Sequence, residues 1–178
     1  MTTIFDQVFA VVVGEEGGYS TDPSDPGNWT GGRCGQGRCN GTKYGIAAGS
    51  HPDLDIAALT LDGAKTIYRQ EYWNLLRADE LPAALALLVF DAAVNSGVSR
   101  AVKWLQAALR VKVDGIFGRE TMAAVKASAG QGATLLAEFQ AQRLVFIAGL
   151  PTWRTFGLGW ARRVSRLPFD ALRIAGAK

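Results

Sequence analysis

Ala83-Ala84-Leu85-Ala86-Leu87-Leu88-Val89-Phe90-Asp91-Ala92-Ala93-Val94-Asn95-Ser96-Gly97 is the stretch that decides the fold. Leu85, Leu88 and Val89, with Ala92 and Ala93, make residues 83–96 apolar on nearly every side. That is the pattern of a buried central helix rather than a surface one. Helical periodicity continues on both sides, over roughly 61–77, 99–110, 118–129, 133–148 and 152–166, with short breaks between. The expected class is mainly α, a helical bundle around the central helix.

The amino-terminal segment is amphipathic, with Phe5, Val8, Phe9 and Val12 on one helical stripe. At about 100° per residue, Glu16 falls about 30° from the stripe centre and Glu15 about 70°. The pair Gly17-Gly18 is the expected stop. Glu16 is thereby read as a carboxylate in the last turn of a buried helix. The composition then changes: 11 of the 21 glycines lie between Gly14 and Gly49. Asp22-Pro23 and Asp25-Pro26-Gly27 are turn signals. Gly31-Gly32 and Gly35-x-Gly37 suggest a hairpin or extended flap carrying Cys34 and Cys39. A small glycine-rich β-hairpin or loop lobe after the first helix makes the class α+β in detail.

Composition removes several chemistries. With 178 residues, 48% hydrophobic and 20% charged, the chain has a core to bury and is not disordered. It has no 18-residue uncharged apolar run. Two cysteines and one histidine do not make a four-ligand structural zinc site without carboxylates. A histidine-based triad would have to use His51, in a loop-like stretch. Residues 1–97 carry a net charge of −6 and residues 98–178 a net of +9. A basic, aromatic-bearing carboxy-terminal part suits an anionic polymer, and charge alone leaves nucleic acid, phospholipid and bacterial wall open. Met1 to Val13 has neither the basic start nor the small-residue cleavage site of a secretory signal. Synthesis in the cytoplasm is the expectation.

Glu16 and Asp25 are the pair that can do chemistry. Burial raises the pKa of a carboxylic acid and suits it to donate a proton near neutral pH, while a carboxylate in a polar loop stays ionised. Glycosidic hydrolysis uses such a pair, because the leaving oxygen must be protonated as oxocarbenium character develops. Thr42 is the third candidate, with Thr30 the alternative if the segment 28–41 is placed differently. Asp22 is the nearby alternative to Asp25.

The motifs resemble a known family. Glu16 and Asp25 have the eight-residue spacing of phage-type lysozymes, and Thr42-Lys43-Tyr44-Gly45-Ile46 is similar to their third element. Glu16-Gly17-Gly18-Tyr19, Asp22-Pro23, Asp25-Pro26-Gly27, Thr42 to Ile46, Tyr72-Trp73 and Phe90 to Gly97 resemble, in order, glycoside hydrolase family 108. That resemblance implies a lysozyme-like fold, N-acetylmuramidase activity of the endolysin kind and a catalytic role for Glu16. Val113-Asp114-Gly115-Ile116-Phe117-Gly118-Arg119-Glu120-Thr121 and Gly159-Trp160-Ala161-Arg162-Arg163-Val164 look like motifs of the peptidoglycan-binding domain that usually follows. The implied division is 1–97 catalytic and 98–178 helical and peptidoglycan-binding-like, packed as one unit.

Aromatic faces stack on pyranose rings, so Tyr19, Tyr44 and Tyr72 are candidates for a sugar cleft, whereas Trp73 suits the core equally well. Asn95 can hydrogen-bond a substrate acetamido group or cap its own helix. Cys34 and Cys39 can close a disulfide only in an oxidising compartment and are read as thiols in the cytoplasm. No metal and no cofactor is expected. The expected partner is peptidoglycan, with anionic outer-membrane lipid at the basic carboxy-terminal segment, no nucleic acid, and a monomeric chain. The expected setting is phage-induced lysis, with a holin-type lesion releasing the enzyme to the wall. The rivals are a lytic transglycosylase giving 1,6-anhydro products and a non-catalytic wall-binding or secretion-accessory protein.

Overall fold

The computed structural model describes residues 2–14 and 18–176. Its helices are α1 (Ile4–Val12), α2 (Leu61–Tyr68), α3 (Ala83–Ser96), α4 (Val98–Leu109), α5 (Arg119–Ala127), α6 (Gly132–Ala148) and α7 (Trp153–Gly176). Strands β1 (Thr42–Lys43) and β2 (Ile46–Ala47) form an antiparallel pair. The class is the mainly α, lysozyme-like one expected. The chain divides into two compact units, Phe9–Arg69 and Met1–Val8 with Gln70–Lys178.

In the larger unit α3 is the central helix, packed by α4, α6 and α7. Every residue from Leu85 to Ala93 is buried, as the all-round apolar pattern requires. Phe5, Trp73 and Phe90 meet edge to face, Trp73 lying 5.1 Å from Phe5 and 5.5 Å from Phe90 between ring centroids. The Trp73 indole N–H donates to Asp79 Oδ1 at 2.8 Å, so its polar edge is satisfied inside the core. Asp91, fully buried on α3, is ion-paired with Arg143 of α6 (2.6 Å) and with Arg163 of α7. A buried carboxylate is tolerated only when paired in this way.

Three elements depart from the sequence expectation. Helix α1 ends at Val12, not at Gly17-Gly18. The N–H groups of Val13 and Gly14 both donate to the Phe9 carbonyl (2.9 and 3.3 Å), and Gly14 has φ +83°. The earlier glycine therefore makes the left-handed stop. Glu16 lies outside the described residues, as do Glu15 and Gly17. The helix expected over 61–77 is regular only to Tyr68 and continues as a five-residue π-helical turn, Arg69–Trp73. With that widened turn Tyr72 and Trp73, adjacent in sequence, both set an edge against Phe90 (6.4 and 5.5 Å).

The third departure is α7, which runs ten residues past the expected end at 166 and passes through Pro168. Proline lacks the N–H that should bond the carbonyl four residues back. That carbonyl belongs to Val164, and it accepts instead from the buried Gln140 amide at 2.7 Å. A side chain from α6 thus supplies the missing donor.

In the smaller unit the β1–β2 register pairs Thr42 with Ala47 and Lys43 with Ile46. Tyr44 (φ 51°) and Gly45 (φ 74°) form the two-residue link, both in the left-handed region of a type I′ turn. A Cβ at Gly45 would lie 2.6 Å from the Tyr68 hydroxyl oxygen, so glycine is required on two counts. Phe9 and Tyr68 pack edge to face at 5.4 Å, above a core of Ile46, Ala48, Ile56 and Leu59.

Gln140→Ala should cost about 1–3 kcal/mol, because it leaves a buried carbonyl unsatisfied. Urea unfolding measures this, and the double variant with Pro168→Ala should recover part of the loss by restoring the helical N–H. Independent, additive effects would disprove the link.

Candidate active site

The lobe that follows α1 is organised by Asn28, which is completely buried. Its Nδ2 donates to the Asp22 carbonyl (2.9 Å), and its Oδ1 accepts from Thr42 Oγ1 (2.7 Å). Its backbone carbonyl accepts from Gly41 N–H (3.0 Å), and its own N–H donates to the Asp25 carbonyl (3.1 Å). One residue therefore ties the turn 22–28 to β1. The sequence reading missed it, because asparagine after Asp-Pro-Gly looks like one more turn residue.

The two loop carboxylates differ in their engagement. Asp25 is exposed and caps the 3-10 turn Pro26–Asn28, its Oδ1 accepting from Gly27 N–H at 2.9 Å. A Cβ at Gly27 would stand 3.2 Å from that oxygen, so glycine keeps the carboxylate uncrowded. Asp22 accepts from both the N–H and the hydroxyl of Ser24 (2.9 and 2.8 Å). Those two bonds, the backbone one foremost, hold its carboxyl below the ordinary value of 3.8. Asp22 is thus bound into its own turn by two donors, and Asp25 by one.

Thr42 pairs with Ser20 through both backbone groups (2.9 and 2.8 Å), and its hydroxyl is committed to Asn28. It acts as a positioning residue in this geometry. Thr30 lies in the flap, where its hydroxyl oxygen accepts from Arg38 N–H at 3.0 Å. Tyr19 is exposed and donates its hydroxyl to the Asn40 carbonyl at 3.0 Å. Its ring lies so close to Gly41 (φ +83°) that a Cβ there would meet Cε2 at 2.6 Å. Tyr19 lines a polar cavity of 340 Å³ with Arg38, Asn40, Asp53 and Asp55. Tyr44 is half-buried, and its carbonyl accepts from the Tyr68 hydroxyl at 3.0 Å.

The other two candidates lie in the larger unit. Asn95 Nδ2 donates to the Asp91 carbonyl one helical turn back, at 2.7 Å. Tyr72 is half-buried, and burial, with Glu71 beside it, pushes its phenol upward. Cys34 and Cys39 are free thiols whose sulfurs address different carbonyls, Ser24 (3.4 Å) and Thr21 (3.6 Å). No group of three or more metal-ligating side chains gathers among the described residues. The lobe thus holds an exposed carboxylate, Asp25, a hydroxyl committed to Asn28, Thr42, and a polar cavity whose lining includes neither of them.

The family model described as Glycosyl hydrolase 108 matches residues 9–97, and the one described as Predicted Peptidoglycan domain matches residues 100–165. The solved structure of Brucella abortus SagA is similar over 98% of this chain and 97% of that one, at 35% identity and a TM-score of 0.77. No curated protein matches.

Asn28→Ala should destabilise by about 1–3 kcal/mol, more than Thr42→Val, because it strands partners on both sides of the lobe. Thermal unfolding of the two variants and their double mutant checks the order and the coupling. Asp22 also gives a pH signature. Its folded pKa is depressed, so its contribution is present above the unfolded value and lost as pH falls through the folded one. The stability gap between wild type and Asp22→Asn should therefore be constant near neutrality and change below about pH 4. Unfolding midpoints across that range measure it.

Proposed function

The chain belongs to glycosyl hydrolase family 108 and is a peptidoglycan hydrolase, and from that premise we propose that it cleaves the β-1,4 bond between N-acetylmuramic acid and N-acetylglucosamine. The observation that carries the reading is the order of the two matches: a glycosyl hydrolase segment followed directly by a peptidoglycan segment on one chain. In this proposal Glu16 protonates the glycosidic oxygen. Asp25, exposed and steadied by Gly27 N–H, orients water or stabilises the developing positive charge. Thr42 holds the lobe in register through Asn28. Tyr19, Tyr44, Tyr72 and Asn95 are proposed to contact the glycan. Residues 1–97 carry the chemistry and 98–178 the hold on the wall.

The setting we propose is phage-induced lysis by an endolysin of lysozyme type, made in the cytoplasm as a monomer and released to the wall through a holin-type lesion. Helix α7 supports an added contact with anionic outer-membrane lipid. Phe169 and Leu172 are exposed at 70% and 61%, and Arg166 and Arg173 lie on the same helix. One observation favours a second reading. The Asp25 carboxylate caps a turn, a structural duty sufficient to explain its presence, and a lytic transglycosylase needs no second carboxylate.

Digestion of purified sacculi, with mass spectrometry of the soluble products, separates the readings. Reducing muropeptides ending in muramic acid are expected from the wild type and none from Glu16→Gln, which should stay folded. Anhydromuramic products would make the enzyme a transglycosylase and leave Asp25 a turn residue. Activity retained in Glu16→Gln would falsify the role of that residue.

A further inference from the structure

We propose that a cavity of about 380 Å³ where α4, α5 and α6 meet binds the free end of a diamino acid, a carbon that carries both an ammonium and a carboxylate. Peptidoglycan presents that group at the unlinked centre of meso-diaminopimelate in a peptide stem. The choice of this polymer rests on the function proposed above. Every described residue of the lining falls within 100–165, the segment matched as a peptidoglycan domain. The charge pattern of the cavity stands without that match.

Arg110 and Glu138 carry the argument. They line the same cavity with opposite charges, yet no ion pair joins them, and neither side chain has another partner among the described residues. Along α6 the positions three and four away from Glu138 are Thr134, Leu135, Ala141 and Gln142, none of them a cation. Arg110 caps α4 in the left-handed region, at φ 57° and ψ 38°. Its N–H donates to the Ala107 carbonyl and that of Val111 to the Gln106 carbonyl, each at 3.1 Å. Those are the closing bonds of a helix end that usually calls for glycine at this position. An arginine there costs backbone energy that a glycine would not. Arg77, another arginine with positive φ, commits its guanidinium to Glu80 at 2.7 and 2.8 Å. Arg110 has no such internal duty, and its side chain is exposed at the cavity.

The lining selects one class of ligand. A ligand of a single charge is drawn to one of the two groups and repelled by the other, and a neutral sugar leaves both without a charged partner. A zwitterion answers both. Its carboxylate matches the planar guanidinium of Arg110, and its ammonium matches the Glu138 carboxylate. Small side chains open the hollow, Ala108 of α4 with Ala124 and Ala127 of α5, beside the buried Leu135 of α6. Those apolar surfaces suit the methylene chain of the diamino acid. Gln131 and Thr134 also line the cavity, with an amide and a hydroxyl for the peptide groups of a stem. The volume falls within the roughly 300–1,000 Å³ of small-ligand sites. A stem built on L-lysine offers the same methylenes and ammonium without the carboxylate, so Arg110 is the group that tells the two stem types apart.

The test is a titration of the full chain, isotopically labelled, with two N-acetylated tripeptides, L-Ala-γ-D-Glu-meso-diaminopimelate and L-Ala-γ-D-Glu-L-Lys. The Leu135 methyl and Arg110 Nε–H resonances are read by NMR. Saturable shifts are expected there with the first peptide, and at least about tenfold weaker binding with the second, which lacks one carboxylate. Arg110→Gln should bind both peptides alike. Arg110→Gly, which suits the left-handed backbone, should lose the same preference with no loss of thermal stability. Glu138→Gln should weaken both peptides, and Ala124→Leu, which fills the cavity, should abolish the shifts. Absence of saturable binding, equal binding of the two peptides by the wild type, or a preference retained in Arg110→Gln or Arg110→Gly would overturn the site. Sacculus digestion on the same samples keeps the two readings apart. Digestion without peptide binding removes this site alone, and peptide binding without digestion supports the site while removing the hydrolase reading.

Discussion

The pairing of the buried Asp91 with the buried Arg143 and the half-buried Arg163 is the constraint on which the larger unit depends. A carboxylate in the middle of an otherwise apolar helix is tenable only while its cations are delivered, and breaking such a pair costs about 3–5 kcal/mol. Delivery requires α6 and α7 to reach α3 in one register, because Arg143 and Arg163 come from different helices. The same requirement bears on domain organisation. Asp91 falls in the segment matched as a glycosyl hydrolase, and both arginines fall in the segment matched as a peptidoglycan domain. The junction between those segments therefore lies inside one compact unit, within a shared charge network.

Buried amides do related work elsewhere. Gln140 replaces the N–H that Pro168 lacks, which lets α7 continue to Gly176. Gln106, 2% exposed on α4, accepts from the N–H groups of Asp114 and Gly115 (3.0 and 2.8 Å) and donates to Asp114 Oδ1 (2.8 Å). The motif Val113 to Gly118 is thereby held as a loop, with Asp114 and Gly115 serving as turn residues. Asn28 plays the same part in the smaller unit. In each case a neutral side chain bonds backbone of another segment: the Val164 carbonyl for Gln140, the Asp22 carbonyl for Asn28, and the Asp114 and Gly115 N–H groups for Gln106. That explains why these polar residues sit in an otherwise apolar core.

Legibility followed the range of the interaction. The central helix was readable because an apolar residue on every side has one explanation, and α4 and α6 lie within about two residues of their periodic limits. The lobe was readable from its glycines, of which Gly41 and Gly45 are required by close approach as well as by φ. The end of α1 was not, since Gly14 and Gly17-Gly18 are equivalent stop signals to a local reading and only the bonds to Phe9 choose between them. The passage of α7 through Pro168 was not, because its rescue comes from a residue 28 positions earlier. The importance of Asn28 and Arg143 was equally hidden, since burial is a property of the packed chain. Glu16 lies outside the described residues, and the helix expected to reach it stops at Val12.

Asp25 shows why spacing and geometry carry different information about chemistry. Its distance in sequence from Glu16 fits a two-carboxylate hydrolase, while its bond to Gly27 fits a turn cap. The two duties are compatible. A cap fixes the carboxylate direction through one oxygen, and a group so fixed meets water or a developing cation without first losing side-chain entropy. Asp22, a few residues away, has one carboxylate oxygen, Oδ1, drawn into its own turn by two donors. In the proposed reaction the product, reducing or anhydro, reports on whether the capped carboxylate of Asp25 has been recruited to activate water.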